Sequence, residues 1–322
     1  MLWFAVRRLL QTVLVLFTIS VLVFLIFFAT PGVDPAARIA GRNADQATLA
    51  QVRHEFGLDQ PLPVRYALMM KHLFISHDLT SFVNRGAKVI PQILEAIPIT
   101  LSLVVGAAVI WMVVGVLLGT LSAASRGTLL DPLIMLFGIV GVSVPVYWLG
   151  EVVNLFSQSK WHDGVFAWVP PLGYVEFRHS PGGWALHLLL PWLTLAVLYV
   201  GIYARVLRGE LLEALNEDYV RTARAKGLSE RQVLVRHALR CSLVPLVALF
   251  GLDFGALIGG AALLTEVVFG LPGVGKLTYD SLQNLDLPVI MGCVIYAGFF
   301  VVIANMVVDL VQALLDPRIR HA

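Results

Sequence analysis

Gly270, Gly275 and Lys276, in the run FGLPGVGKLTYD from Phe269 to Asp280, stand at the spacing of the phosphate-binding loop G-x-x-x-x-G-K-[ST]. In such a loop backbone amides cradle phosphate, the lysine reaches the outer phosphates, and the closing hydroxyl ligates magnesium. Leu277 occupies the hydroxyl position here, and a long apolar run suited to a membrane helix precedes the loop in place of a strand. The chemistry fails at the metal ligand and at the fold, so the run reads as a Gly/Pro-rich re-entrant or capping loop. His54-Glu55 opens H-E-x-x-H, but Leu58 stands where the second histidine belongs. G-x-S-x-G is absent, and no paired intramembrane Asp or His suggests hydrolysis. His187 is alone, an interfacial ring rather than a metal ligand. Cys241 and Cys293 lie in separate apolar segments without C-x-x-C and read as packed thiols. No catalytic residue, metal site or cofactor bound by this chain is expected, and the chain is not read as an enzyme.

The elements that carry these residues are set by composition. Of 322 residues 58% are hydrophobic and 14% charged, where soluble domains carry about 25% charge; mean hydropathy is +0.82. A net charge of +2, with no alternation of basic and aromatic residues, excludes a nucleic-acid partner and leaves membrane lipid as the surroundings. A bilayer core takes about 20 apolar residues of helix. Six segments qualify, at 9–30, 97–122, 132–156, 184–207, 243–266 and 289–314. The first is too long for a signal-peptide core and lacks a cleavage site, so it reads as an uncleaved span. Pro145 and Pro191 sit within spans and read as kinks. The fold class is an all-α integral membrane protein with six transmembrane helices. With the N-terminus inside, the inner segments hold thirteen Lys and Arg and the short outer ones three, so both termini are placed in the cytoplasm. The chain then divides into 1–30, an amino-terminal end and first span; 31–96, a small, mostly helical outer subdomain turning at LDQPLP; 97–315, a five-helix core; and 316–322, a cytoplasmic tail.

The most polar inner stretch, LNEDYVRTARAKGLSERQVLVRHALR, has internal logic. Leu211, Leu212, Leu215, Tyr219 and Ala223 keep helical spacing, so the fourth span is expected to continue as an amphipathic helix. Glu217 and Arg221 form an i, i+4 pair on it. Gly227 supplies a left-handed stop, and Ser229 with Gln232 reads as a capping box that starts a second helix. The 210–240 segment is thus an elbow, slim at Ala223, Ala225 and Gly227, read either as a solvated loop or as a tip that enters a groove of another protein. Among polar residues inside spans, Asp253, Glu151, Asn154 and Asn305 are candidates for a translocation pathway. Asp253 falls about 15 Å into its span, where it either lines a wet pathway or bonds Tyr203 or Arg205. Asp309 reads as paired or capping. Glu266 lies close to the 267–288 outer loop and could hold it in place.

Five stretches resemble, in order, the permease subunits of ABC importers for dipeptides, oligopeptides and nickel. These are FGLDQPLPVRY, SVPVYWLG, DYVRTARAKGL…RHALR…LVPLV, TEVVFGLPGVGKL and LLDPRIR. The third resembles the family's cytoplasmic "EAA" loop. It has Arg221-Thr222-Ala223 where the general loop has Glu-Ala-Ala, a form common in the peptide branch, and its nearest later proline is displaced to Pro245. The resemblance implies a type I importer permease in a bacterial inner membrane. It would pair with a second homologous permease to form the pathway, with two cytoplasmic ATPase subunits that hold ATP and magnesium, and with an extracytoplasmic substrate-binding protein. Tyr219, Val220, Thr222, Ala223, Ala225, Lys226 and Gly227 would then dock on an ATPase. Leu271, Pro272, Gly273 and Gly275, with Glu266, would form an outer gate. Peptides, nickel chelates and glutathione-like solutes all fit the resemblance. The alternative of another class is an ion-gradient-driven secondary transporter, against which stand the absence of a clear internal repeat and the small number of spans.

Overall fold

A computed structural model describes residues 2–28, 36, 45–55, 57–84, 86–158 and 164–315, except for the side chains of 2–9, 12, 28, 55 and 308–315. The 316–322 tail, most of LLDPRIR, Lys160 and the side chains of Arg7, Arg8 and Asp309 lie outside the described residues. Every regular element among the described residues is helical, and one isolated bridge joins Thr80 to Lys88. In chain order they are α1 (Leu2–Phe28), α2 (Gln46–Glu55), α3 (Leu62–Phe74), α4 (Val89–Ala124), α5 (Leu130–Ser143) and α6 (Val146–Ser157). Then follow α7 (Pro181–Ala214), α8 (Asp218–Ala225), α9 (Glu230–Ala261), α10 (Leu263–Val268), α11 (Val274–Asn284) and α12 (Leu287–Leu315).

Helices α4, α7, α9 and the Leu287–Val307 part of α12 are each long and apolar enough to cross a membrane, and α1 adds a shorter apolar stretch, Val13–Phe27. Pro145 does more than kink its span: α5 and α6 meet at 94°. The residue before a proline is pushed out of the helical region, and Val144 is extended, with ψ 124°. Counted as one span the pair makes a fifth, so length and composition alone do not reach the expected six. Pro191, by contrast, lies inside an unbroken α7. The expected fifth span is also interrupted. Gly260 takes φ 118°, ending α9 in a π turn before α10 begins.

The chain divides into two compact units, Met1–Ile99 with Pro272–Val302, and Thr100–Leu271 with Ile303–Ala322. In the first, Tyr66 of α3 packs edge-on against Phe24 of α1 at 5.3 Å and shares a 2.7 Å hydrogen bond with Ser20. Ala36, Val52, Leu58, Phe82, Leu287 and Ile290 form its buried apolar cluster. The buried Asp286 carboxylate ties the chain beside it, accepting from the Ser81 hydroxyl and, at 3.0 Å, from the Phe82 amide. The LDQPLP turn lies between α2 and α3, and Arg65 donates to the Leu58 and Gln60 carbonyls across it.

In the second unit, helices meet at small residues, as helices do in lipid where close backbone packing drives association. A Cβ on Gly138 of α5 would lie 3.2 Å from Gly201 Cα of α7, and one on Gly119 of α4 would lie 2.8 Å from the Ala204 carbonyl. Gly201→Val should push α5 off α7 and lower the thermal midpoint of the detergent-solubilised protein, since overpacking a tight contact costs about 1–3 kcal/mol. Gly209→Ala on the same helix, where a Cβ meets nothing within 4 Å, should leave the midpoint in place.

Candidate functional site

The 210–240 segment folds as a helix, a glycine turn and a second helix. Helix α7 stops at Ala214, however, and a turn over Leu215–Glu217 separates it from α8. The expected continuous amphipathic helix is therefore broken, and Glu217 falls outside α8. Arg221 pairs with Asp218 at 3.3 Å instead of with Glu217. Helix α8 closes with Gly227 at φ 82°, the Gly227 amide bonding the Arg224 carbonyl and the Leu228 amide reaching the Ala223 carbonyl. Ser229 and Gln232 make the reciprocal capping box that starts α9, whose second turn is π-helical over Val233–Ala238. Arg224 grips Glu230 through Nε at 2.8 Å and Nη2 at 3.1 Å, and its Nη1 donates to the Leu215 carbonyl. The hydrogen bonds from Arg224 hold the Glu230 carboxyl below its usual range.

Which side of α8 is open follows from its packing. Val220 and Ala223 are buried against Val233, with Leu215 and Leu228 around them. This corrects the expectation that those two side chains meet a partner directly, because each is covered by its own chain. Tyr219, Thr222, Ala225, Lys226 and Gly227 are exposed. Burial, and then a hydrogen bond with Cys241, push the Tyr219 hydroxyl above its ordinary value. Cys241 is itself exposed, not packed as expected, whereas Cys293 is buried.

Behind the elbow stands a clamp that motif reading did not find. Arg208, near the end of α7, donates to both oxygens of Asp131 on α5, Nε and Nη2 each at 2.7 Å. The Ser122 hydroxyl of α4 donates to the same carboxylate. Three helices are thus pinned six residues before α7 ends. The available signal was an acid and a base, each at the edge of an apolar run, but spacing alone does not pair residues 77 positions apart.

The Phe269–Asp280 run follows helix α10, not a strand. Gly270 is left-handed at φ 63°, and the Leu271 amide bonds the Glu266 carbonyl at 2.9 Å to close α10. The fully buried Glu266 side chain accepts from the Thr100 hydroxyl at 2.6 Å, so one residue braces the turn through both backbone and side chain. Leu271 is buried in that unit; Pro272 is exposed, Gly273 is extended before α11, and Gly275 is buried in its first turn. Lys276 is held by Asp280 of the same helix at 2.8 Å, and the run read as a re-entrant or capping loop carries an eleven-residue helix from Val274.

The four pathway candidates separate. Asn154 is buried and donates to the Val268 carbonyl at 2.8 Å, fastening α6 to α10 where Gly150 allows close approach. That corrects its reading as a pathway-lining group. Glu151 is exposed on α6, and Asn305 is half-buried on α12. Asp253 is half-buried and accepts from the Tyr203 hydroxyl at 2.9 Å. Among the described residues, no hydrogen bond or ion pair joins Glu151, Asp253 and Asn305, and no group of three or more metal-ligating side chains gathers.

Residues 115–321 match the family model for the binding-protein-dependent transport system inner membrane component. Residues 1–104 match the model for the N-terminal part of the same membrane component. The chain is 39% identical over 316 residues to a peptide transport system permease protein of Brucella abortus, covering 98% of each. It is 37% identical to a D,D-dipeptide transport system permease protein of Escherichia coli, over 95% of this chain and 94% of that one. It is 36% identical to a glutathione transport system permease protein of Salmonella paratyphi A, over the full length of both. An amino acid ABC transporter crystallised with histidines aligns at a TM-score of 0.46 and 13% identity over 71% of this chain and 94% of that one, a likeness too distant to carry weight. The chain belongs to the binding-protein-dependent transport inner membrane components, and is a multi-pass membrane permease subunit of an ABC importer rather than an enzyme.

Proposed function

We propose that this permease moves peptides inward, pairing with a second homologous permease to enclose the pathway and docking through its elbow on one of two cytoplasmic ATPase subunits. The observation that carries the docking is the two-sided character of α8: Val220 and Ala223 are sealed against Val233, while Tyr219, Thr222, Ala225, Lys226 and Gly227 are left open. A solvated loop needs no such seal, nor the Arg224 grip on Glu230 and Leu215. Both termini and the elbow lie in the cytoplasm on this reading, residues 31–96 form the outer subdomain, and 267–288 receives an extracytoplasmic binding protein at the exposed Pro272, with the buried Gly273 and Gly275 shaping the turn into α11. Glu266 and Leu271 brace that gate. ATP and magnesium belong to the ATPase subunits. Peptide as cargo is supported by the names of the Brucella and Escherichia relatives, and a glutathione-like solute is the second reading, favoured by the full-length Salmonella relative. The test is purification of the tagged chain from its native membrane. ATPase subunits and a second permease should accompany it, the chain alone should turn over no ATP, and the associated binding protein should bind peptides. Recovery of a chain that pumps solute without companions would overturn the reading.

A further inference from the structure

We propose that Asp253 and the aromatic rings beside it form a station, within the span, for the cationic amino terminus of a passing peptide; this rests on the peptide-permease reading above. Asp253 is isolated along its helix. The nearest charged residues in sequence are Arg240 and Glu266, 13 positions away on either side, or about 20 Å of helix. A carboxylate at that depth faces a wet cavity or a partner rather than lipid. Asp253 is half-buried in this chain, and among the described residues its one polar contact is the Tyr203 hydroxyl on Oδ2, with no cation paired to it. Tyr203 is itself fully buried, so it fixes the carboxylate and leaves Oδ1 for something that the chain does not supply.

The surroundings suit a cation. Trp111 stacks on Tyr199 at 4.6 Å and lies 6.2 Å from Tyr203 and 5.9 Å from Phe250, which stacks on Phe254 at 5.4 Å. Trp111 and Tyr203 are sealed, while Tyr199, Phe250 and Phe254 keep an open face. Ring faces attract ammonium through their quadrupole, more so where water is scarce, and a carboxylate adds a charge-assisted hydrogen bond. Such a station stabilises a solute's charge midway without the deep well that a second fixed charge would make. A protonated Asp253 would need no cation, and an asparagine would replace it without loss. A carboxylate paired with a basic residue of the second permease would be needed for assembly.

The experiment uses the assembled transporter with its binding protein in proteoliposomes, comparing uptake of one dipeptide with a free amino terminus and the same dipeptide acetylated. Wild type should prefer the free amine, Asp253→Asn should narrow that preference about tenfold, the equivalent of one strong contact, and Asp253→Glu should keep it. An unchanged preference in Asp253→Asn, or none in wild type, overturns the station. So does an Asp253→Asn chain that no longer co-purifies with the second permease, since the carboxylate then pairs across the interface. If wild type moves neither peptide, the peptide reading itself falls, and the station with it.

Discussion

Asp131→Ala should destabilise the purified transporter by about 3 kcal/mol, because removing one partner of a buried pair leaves the other charge uncompensated. Asp131 is one-tenth exposed and Arg208 about a quarter, at 10% and 28% of their side-chain areas. Water reaches part of the Arg208 guanidinium and offsets some of the lost contact, which sets the loss at the low end for a buried pair, and Ser122 loses its acceptor at the same time. Arg208→Lys should fall between, since it keeps the charge but not the two-pronged grip. The double variant Asp131→Leu with Arg208→Met should be less damaged than either single truncation, because it removes the desolvated charges together. Thermal or denaturant unfolding of wild type, Asp131→Leu, Arg208→Met and the double variant in one detergent gives the coupling energy directly. A loss within about 0.5 kcal/mol for Asp131→Ala would show a pair of the solvent-exposed kind.

The contrast between this clamp and the elbow shows what is legible in a sequence. The elbow's stop and restart are local: a left-handed Gly227 and the Ser229–Gln232 box depend on residues within one or two turns, and both were readable. So were the long apolar helices, each written as a long, mostly apolar run, and the helix rather than strand that precedes Gly270. What failed to show was tertiary. Periodicity carried α7 through Leu215 into α8 without a break, because apolar spacing persists across the turn at Leu215–Glu217. Pro145 gave a kink in the sequence and a 94° bend in the fold, whereas Pro191 lies within an unbroken helix. Val220 and Asn154 were selected for position and polarity, yet each is used inside the chain: Val220 under α8, Asn154 on the Val268 carbonyl. The pair Asp131–Arg208 had no local signature at all.

Gly227→Leu should leave the permease folded and assembled yet lower peptide uptake at least about tenfold, a change of 1.4 kcal/mol or more in the coupled step. Two effects add at this position. The left-handed backbone at φ 82° disfavours a side chain by about 1–2 kcal/mol, and a branched side chain projects from the tip. Within the chain a Cβ there meets nothing within 4 Å, so the tip is open where the proposed partner would dock. Gly227→Ala separates the effects, because alanine is small but, like leucine, is disfavoured in the left-handed conformation. It should retain most uptake if bulk at the docking face is what matters, and should fail alongside leucine if backbone strain is. The coupling argument sets the readout. On the docking reading proposed above, ATP biases the permease by binding one arrangement of its ATPase partners more tightly than another, and a few kcal/mol of that difference passes through α8 into α7 and α9. An elbow that no longer seats leaves ATP hydrolysis running without proportionate uptake, so the ratio of peptide moved to ATP consumed should fall in Gly227→Leu. Wild-type uptake in that variant would mean the push enters the membrane helices somewhere other than this tip.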